Sequence, residues 1–545
     1  MSVNSSKTVT GRRLGGDLAL LAGILLLALA ARIYAFPIAR VIAADGISYV
    51  NIARSIFRGE GFSGANHFPP LYPLLIGTMN LLAGDDELAG KLISLLMGML
   101  LVLPVYLLGK ELFSRRVGAI AALFVALSPS LVKLSSEVLT QTTYLALLLS
   151  GLYCLWRSAR DVQMRWGVAA GLFCGAAYLT RPEAIVVLAA CTGMILFLTY
   201  VEGAKGLVPL KSFAVVWAAF FLMASPYLLL LHDLNGTWQL TGKSSVTLAD
   251  SLGWYLDRPD LKREPTFAGI GYLDVIRQYP DFLWKNGLRN LNTLIDETLP
   301  AHVWVLLLLG IVAGGWRGVA LKSRLFLLGA CSPLLIIFVF FFIGNLYTAP
   351  YLPFFFIFAA HGLVAAEAYA LDFLRRGLPS VRSSLIELIP FSGVAALVIG
   401  LLMFAPHVSF GRAKPYHFAD DGARYDHKLI GLMLKKHLAP RQRLMAKDAR
   451  INFYADMPRA DIPQSSLAEI IAAARAAKVR YLVADGTLFG QRPQMEPLLQ
   501  PLLDSPPDIL YLEQGPGFQP IPGLKLILLY KNPASAGAAV YEFQE

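Results

Sequence analysis

The sequence predicts an α-helical polytopic membrane protein with a small α/β domain at its C-terminal end. Three observations predict it. Of the 545 residues, 56% are hydrophobic and only 16% charged, whereas a soluble domain is nearer half apolar and a quarter charged. Apolar runs of spanning length recur along residues 1–406. From His407 the composition turns soluble, with short strand patterns and a capped helix.

Taken in order, apolar runs fall at about 16–36, 89–109, 117–131, 138–156, 166–180, 183–200, 212–231, 301–316, 324–343, 348–371 and 385–406, which reads as about eleven transmembrane helices. The run Leu71–Ala83 follows Pro69-Pro70 and is short for a span, so it reads as a re-entrant or surface helix. Loop charge supports this. With that run kept on one side, segments 1–15, 110–116, 157–165, 201–211, 317–324 and 372–384 carry most of the loop Lys and Arg. The short segments opposite hold only Arg40, Arg54, Arg58, Lys133 and Arg181. The positive-inside rule then puts the N-terminus in the cytoplasm and the C-terminus outside. Leu18–Phe36 is long for a signal peptide, and Tyr34-Ala35-Phe36-Pro37 is a poor cleavage site, so it reads as a retained first span in the inner or plasma membrane.

The same charge pattern accounts for the net charge of +11. No basic stripe with interleaved aromatics points to nucleic acid. Cys154, Cys174, Cys191 and Cys331 lie inside apolar runs without metal-site spacing and read as small core residues. No cofactor motif appears, and the sequence leaves a divalent metal open.

The domains follow. Residues 1–406 form a transmembrane domain with long outer loops at 37–88 and 232–300, and residues 407–545 form a soluble extracytoplasmic α/β domain. The first outer loop is too polar to cross a bilayer. Asp45 opens it at the membrane surface. A short amphipathic helix follows, with Val50, Ala53 and Phe57 as its apolar stripe and Arg54 and Arg58 beside it. Gly59, Gly61 and Gly64 end that helix, and Pro69-Pro70 stops any other. In the second loop, Tyr272–Leu299 is amphipathic, with Tyr279, Phe282, Leu283, Leu291 and Leu294 on the apolar side, which suits a helix on the membrane surface. In the soluble part, RLMAKDA, VRYLVADG, ILYLEQ and LKLILLYKN read as strands, and Ser466–Lys478 as a helix with a Ser cap and Glu469 in its first turn. No catalytic motif stands out there.

The opening loop carries a family resemblance. Asp45 just after the first span, Tyr49 four residues on, an amphipathic helix and then PPLYPLL resemble the C-type membrane glycosyltransferases. More narrowly, they resemble the protein O-mannosyltransferase and lipid A aminoarabinose transferase group. Other stretches follow in the family's order. Gly90-Lys91-Leu92-Ile93-Ser94 is similar to the basic start of the second span. Ser128-Pro129 with Glu137 is similar to the outer segment that bears a second acid. Leu179-Thr180-Arg181-Pro182-Glu183 is similar to a short turn between spans, and Tyr347-Thr348-Ala349-Pro350-Tyr351-Leu352-Pro353 to a late outer motif. The resemblance covers residues 15–406. The chain departs from the pattern at Gly46, where many relatives have Glu, and at Leu346, where Arg is usual.

The resemblance implies a C-type glycosyltransferase fold and transfer of a sugar from a polyprenyl-phosphate donor to a lipid, glycan or protein hydroxyl outside the cytoplasm. Such transfer needs a carboxylate as general base on the acceptor hydroxyl. Asp45 is the candidate, with Glu137 as the second acid. The departing lipid phosphate needs cations; Lys91, Arg54, Arg58, Arg181 and Lys243 are the candidates. Tyr49, His67, Glu183 and Tyr347 are candidates to position substrate. Each residue also has a plainer role open to it. Asp45 can cap its helix, Arg181 and Glu183 can pair at a turn, His67 can pack in its loop, and Tyr347 can sit in an interfacial belt. Lys91 near a helix start opposes the helix dipole, which favours an anionic partner from outside the helix. The alternative class is a transporter or flippase of lipid-linked glycans. Transporters place ionisable groups near the bilayer midplane, whereas here the charges gather at the surfaces.

Overall fold

The structure is a computed structural model. It describes residues 4–62, 64, 67–201, 208–242, 244–256, 270–316, 318–333, 340–341, 345–377, 391–404, 422–439, 441–463, 465–488, 492–506, 508–512, 521–531 and 537–544. The chain divides into two compact units. The larger comprises Met1–Pro37 and Tyr49–Phe418, and the smaller comprises Ile38–Ser48 and Ala419–Glu545.

The larger unit is helical. Its elements are α1 (Asn4–Ala35), α2 (Ala44–Phe57, whose first turn belongs to the smaller unit), α3 (Leu71–Ala83), α4 (Asp86–Leu100), α5 (Val102–Leu112), α6 (Arg115–Leu127), α7 (Pro129–Leu134), α8 (Gln141–Asp161), α9 (Met164–Tyr178) and α10 (Ala184–Val201). They continue as α11 (Val208–Asn235), α12 (Ser244–Tyr255), α13 (Tyr272–Gln278), α14 (Pro280–Glu297), α15 (Ala301–Val312) and α16 (Gly318–Cys331). After a short turn at Asn345–Thr348 come α17 (Leu352–Gly377) and α18 (Phe391–Phe404). Among the described residues four helical stretches are long and apolar enough to span a bilayer: Gly16–Ala35, Asp86–Leu112, Lys211–Asn235 and Ala349–Leu374. A fifth forms if the bent pair Pro280–Asp296 and Ala301–Val312 counts as one span. Other apolar runs of the sequence fold as helices too short to qualify alone, α6 and α9 among them.

Helix contacts in this unit rest on small residues, as they must where apolar burial between helices gives little drive. Gly310 of α15 faces the Phe358 carbonyl of α17, and Gly362 of α17 faces the Leu306 carbonyl. A methyl group at either position would overlap that backbone oxygen, so only glycine permits the approach. Basic residues of the segments 110–116 and 157–165 gather their counterions. Lys110 and Arg115 share Asp17, Arg157 and Arg160 share Glu111 and Asp161, and Arg116 meets Glu367.

The amphipathic stretch of the second loop departs from expectation. Tyr279-Pro280 splits it into α13 and α14. On α14, Phe282, Asn286 and Asn290 face inward at helical spacing. The two asparagines donate to the Phe341 carbonyl at 3.2 and 2.7 Å. The exposed face carries Trp284, Leu288, Leu291 and Ile295. The buried side therefore mixes Phe282 with two asparagines, which a fixed carbonyl inside the protein satisfies.

The smaller unit is built on a six-stranded mixed sheet. Its strands are β1 (Leu444–Met445), β2 (Arg459–Ala460), β3 (Tyr481–Asp485), β4 (Ile509–Leu512), β5 (Leu524–Lys531) and β6 (Ala538–Phe543), in the order β2-β1-β3-β6-β5-β4. β1 runs parallel to β2 and β3, and the remaining pairs are antiparallel. Strand alternation makes two cores. Leu482 and Ala484 face one, and Tyr481 and Val483 the other. A bulge between Leu526 and Leu528 reverses the alternation along β5, so that Leu526 and Leu528 serve opposite faces. The helices are α19 (Gly422–His437), α20 (Ala449–Ala455), α21 (Leu467–Ala476) and α22 (Glu496–Leu503). α21 is capped as its sequence suggests. Glu469 N–H donates to Ser466 Oγ at 3.4 Å, and Ser466 N–H donates to Glu469 Oε2 at 3.0 Å. β2 and β6 are strands beyond those that the sequence pattern predicts.

His427 of α19 is buried between two acids. Its Nδ1 lies 3.3 Å from Asp448 Oδ2 and its Nε2 lies 3.7 Å from Asp485 Oδ1. Burial opposes the charged imidazolium, but the two carboxylates outweigh it and hold its pKa up to about 9. Burial also pushes Asp448 up, but His427 and Arg450 outweigh it and hold that carboxyl well below the usual carboxylate range. His427 thus stabilises the fold fully below its unfolded value of 6.5 and loses that contribution as pH rises through about 9. Asp448 contributes above its unfolded value of 3.8 and loses it in acid. In the intact chain, the unfolding free energy of this unit, from urea titrations read by pulse proteolysis, should fall between pH 6.5 and 9.5 by on the order of 3 kcal/mol. His427→Gln should flatten that slope.

Candidate active site

The site is best built from one turn. α9 ends at Tyr178, and the chain reverses through Leu179–Glu183 before α10. Pro182 keeps the helix from continuing. The Arg181 N–H donates to Ala177 O at 2.8 Å, and the Leu71 N–H donates to Leu179 O at 2.9 Å, which ties the start of α3 to the turn. From this turn Arg181 Nη2 reaches Glu183 Oε1 at 2.9 Å. Its guanidinium lies 5.8 Å from the centre of the Tyr144 ring. The plain ion pair open to these residues is therefore present.

That pair lines a cavity of about 260 Å³ in the larger unit. Tyr49, His67 and Tyr347 line it too. They come from α2, the glycine turn after α2, and the turn before α17. Five residues singled out in the sequence thus converge, although they are far apart along the chain. Phe68, Thr241, Tyr272 and Phe341 contribute further wall.

Aromatic packing fixes Tyr49. Its ring meets Phe68 and Tyr72 edge-on, with centroids at 5.0 and 5.2 Å. Tyr72 is fully buried, and its hydroxyl lies 2.8 Å from Ser94 Oγ on α4. Ser94 donates in turn to Leu139 O at 3.2 Å, and Thr142 Oγ1 donates to Ser94 O at 3.1 Å. One face of α4 therefore backs the cavity wall and also holds the turn that carries Glu137. Glu137 Oε1 lies 3.8 Å from Lys133 Nζ.

The other candidates among the described residues do not line this cavity. Lys91 is buried, with Nζ 3.0 Å from Glu87 Oε1 one turn earlier. That carboxylate, on α4 itself, is one anionic partner of Lys91. Arg54 Nε lies 2.6 Å from Asp86 Oδ2, and Asp86 Oδ1 accepts from Asn80 at 2.8 Å. Arg58 is exposed beyond the end of α2, and Phe57 of the expected apolar stripe is 46% exposed. Asp45 is exposed in the first turn of α2, inside the helix rather than at its cap, and belongs to the smaller unit. Lys243 lies outside the described residues. Among the described residues no three His, Cys, Asp or Glu side chains group to hold a metal.

Sequence reasoning missed Tyr72, Tyr144 and Tyr272. Tyr72 lies inside the quoted PPLYPLL stretch, where its position after two prolines was the available signal. Tyr144 sits in an apolar helix that gives none. Chemically, the cavity offers a cationic fork, a carboxylate that accepts from hydroxyls, a histidine, and aromatic faces for a sugar ring.

Comparison with known proteins bears on the fold. A family model described as dolichyl-phosphate-mannose-protein mannosyltransferase matches residues 67–229. The structure of ArnT from Cupriavidus metallidurans bound to undecaprenyl phosphate is similar at TM-score 0.56 and 13% identity, over 96% of this chain and 98% of that one. The archaeal oligosaccharyltransferase AglB from Archaeoglobus fulgidus, in complex with an inhibitory peptide and a dolichol-phosphate, is similar at TM-score 0.55 and 14% identity, over 95% of this chain and 74% of that one. The chain has the C-type glycosyltransferase fold. The search of curated proteins gave no match. The matched region of the C-type family model includes His67, Lys91, Glu137, Arg181 and Glu183.

The ion pair generates a prediction. Glu183→Gln should cost about 1–2 kcal/mol, since it leaves Arg181 without its closest counter-charge in a half-dry site. Changing Arg181 and Glu183 together to Gln should cost less than the two single changes added. A double-mutant cycle by thermal unfolding in detergent checks this.

Proposed function

We propose that the protein is a membrane glycosyltransferase that moves a sugar from a polyprenyl-phosphate donor to a lipid, glycan or protein hydroxyl on the extracytoplasmic face. The observation that carries the reading is the cavity on which Arg181, Glu183, His67, Tyr49 and Tyr347 converge, within a fold shared with enzymes solved with undecaprenyl phosphate and dolichol-phosphate. The transport alternative is not favoured by this likeness.

The acceptor oxygen attacks the anomeric carbon while the bond from that carbon to the phosphate oxygen breaks. The electron pair leaves with the lipid phosphate, and the hydroxyl proton passes to Asp45. An ionised aspartate is a weak base towards an alcohol, so the proton moves late, in concert with attack. Glu137 orients the acceptor. Arg181 is the cation of the cavity and offers its fork to phosphate oxygens. Lys91 and Arg54 join it by exchanging Glu87 and Asp86 for phosphate, with Arg58 and Lys243 completing the cationic set. Tyr49, His67, Glu183 and Tyr347 hold the sugar by stacking and hydroxyl contacts.

This reading keeps about eleven spans in residues 1–406, with the N-terminus cytoplasmic and residues 407–545 an extracytoplasmic domain. The 106° bend between Pro280–Asp296 and Ala301–Val312 supports a surface helix leading into a span, with Trp284, Leu288, Leu291 and Ile295 in the headgroup layer. A reporter fused after Pro406, or placed in the 232–300 loop, should read as extracytoplasmic; a cytoplasmic signal from either overturns the topology and the reaction assigned to that face.

The chemistry is tested on purified variants supplied with a panel of polyprenyl-phosphate sugars. Asp45→Asn keeps size and a helical first turn, losing only a dipole term of about 0.3–1 kcal/mol. Turnover should fall roughly a hundred- to ten-thousand-fold with donor binding kept. Glu137→Gln should cost less. Lys91→Ala should weaken donor binding roughly ten- to a hundred-fold. Near-normal turnover in Asp45→Asn would move the base to Glu137 or Glu183.

A further inference from the structure

The smaller unit holds a segment that no motif marked. Ile42, three residues before Asp45, is buried and gripped at both of its backbone polar atoms. Its N–H donates to Tyr454 Oη at 2.9 Å, and its carbonyl accepts from Arg450 Nε at 2.9 Å. Tyr454 and Arg450 lie one turn apart on the same face of α20. Lys428 Nζ adds a bond to the Arg40 carbonyl at 2.7 Å, and the Arg40 guanidinium lies 5.5 Å from the centre of the Tyr425 ring.

The grip is itself braced. Asp448 is the N-cap of α20. Its Oδ1 accepts from Arg450 N–H at 2.8 Å, and its Oδ2 accepts from Arg450 Nη1 at 2.8 Å. Arg450 is only 6% exposed, so its guanidinium has little freedom to relax towards water. Two bonds to the N–H and the carbonyl of one residue oppose both sliding and rotation of the segment there. The first helical bond of α2 follows at once, from Ile47 N–H to Ala43 O at 3.2 Å. The place where the segment is pinned therefore sets where α2 begins and how its first turn presents Asp45.

We propose that α20 is a clamp on the segment 38–48, and that Tyr454 and Arg450 are positioning residues for the Asp45 carboxylate. This gives the smaller unit a part in transfer without a catalytic motif of its own. It rests on the reading of Asp45 as general base.

Tyr454→Phe is the sharp test, because it keeps the ring and removes the hydroxyl that accepts from the Ile42 N–H. In the full-length protein, amide exchange in residues 38–48 should accelerate at least about tenfold. Turnover should fall roughly 3- to 30-fold, the scale of one buried hydrogen bond, with donor KM unchanged within about twofold. In an Asp45→Asn background the same change should cost nothing further. Arg450→Lys, which keeps the charge and one donor, should lose less than Arg450→Ala on both readouts. Unchanged exchange in Tyr454→Phe overturns the clamp. Faster exchange with normal turnover, or a full further loss on top of Asp45→Asn, overturns the positioning role. Should Asp45→Asn itself keep turnover, the base assignment falls and the positioning role with it, while the exchange rates still decide whether α20 holds the segment.

Discussion

Inside an apolar surrounding there is no water to complete a polar group, so each one must find its partner within the chain. That constraint shapes the larger unit. Arg32 is fully buried in α1 and donates to Ala28 O at 3.1 Å, Ala126 O at 3.2 Å and Ser135 Oγ at 3.1 Å. A charge placed there draws α1, the end of α6 and the turn after α7 to one point. Ser94 does the same from α4, through Leu139 and the Thr142 hydroxyl. Segment 128–142 is thus fixed from both sides, and Glu137 stands on backbone that has little freedom. Arg324 closes the end of α15 by donating to the carbonyls of Gly315 and Ala313. These bonds matter less for their net energy, about 1 kcal/mol each, than for the penalty of 1–3 kcal/mol or more if one partner is lost.

The ion pairs divide into two kinds by burial. The Arg116 and Arg160 side chains are largely in solvent, at 66% and 47% exposure. Pairs of that sort are worth little singly. They account for how loop charge is tolerated, not for why the helices pack. Lys91 with Glu87 and Arg181 with Glu183 are drier. There the loss of one partner is expensive and the exchange of one anion for another is not. A site that must accept and release a phosphate has this requirement: its cations need a resident carboxylate when empty. The same pairs that read as structural in isolation are therefore compatible with a donor site.

The fold was legible where periodicity is strong and one face is buried. The long apolar runs, the glycine end of α2 and the Ser466–Glu469 cap follow from local rules. The short strands β2 and β6 were not legible. β2 has two residues, and β6 carries small alanines whose burial depends on β3 and β5, which lie far away in sequence. The α14 faces were read half inverted because hydrophobicity cannot anticipate a carbonyl such as that of Phe341 waiting for two asparagines. Of the site, the residues beside prolines and glycines were visible, since turns between spans are where polar side chains collect. Tyr72 and Tyr144 were not, because an aromatic inside an apolar helix looks the same whether it backs a cavity or fills a core. The partners of Lys91 and Arg54 were in plain sight as Glu87 and Asp86, but only three-dimensional packing says which of several nearby acids is taken.

The division of the chain carries a further consequence. Residues 38–48 are grouped with the C-terminal unit, yet Pro37 before them and Tyr49 after them are grouped with the larger one. The path of the chain thus leaves one unit and returns to it around the single stretch that contains Asp45. A side chain on such a stretch takes its position from whatever holds the backbone there, and the described bonds to that backbone come from Tyr454, Arg450 and Lys428. Asp448 links those bonds to the buried charge beside them, since it caps α20, braces Arg450 and faces His427. On the proposed reading, the sheet of the smaller unit carries the helix that sets the geometry of the Asp45 carboxylate. The physical means are ordinary: one helix cap that braces one guanidinium, and one phenol hydroxyl.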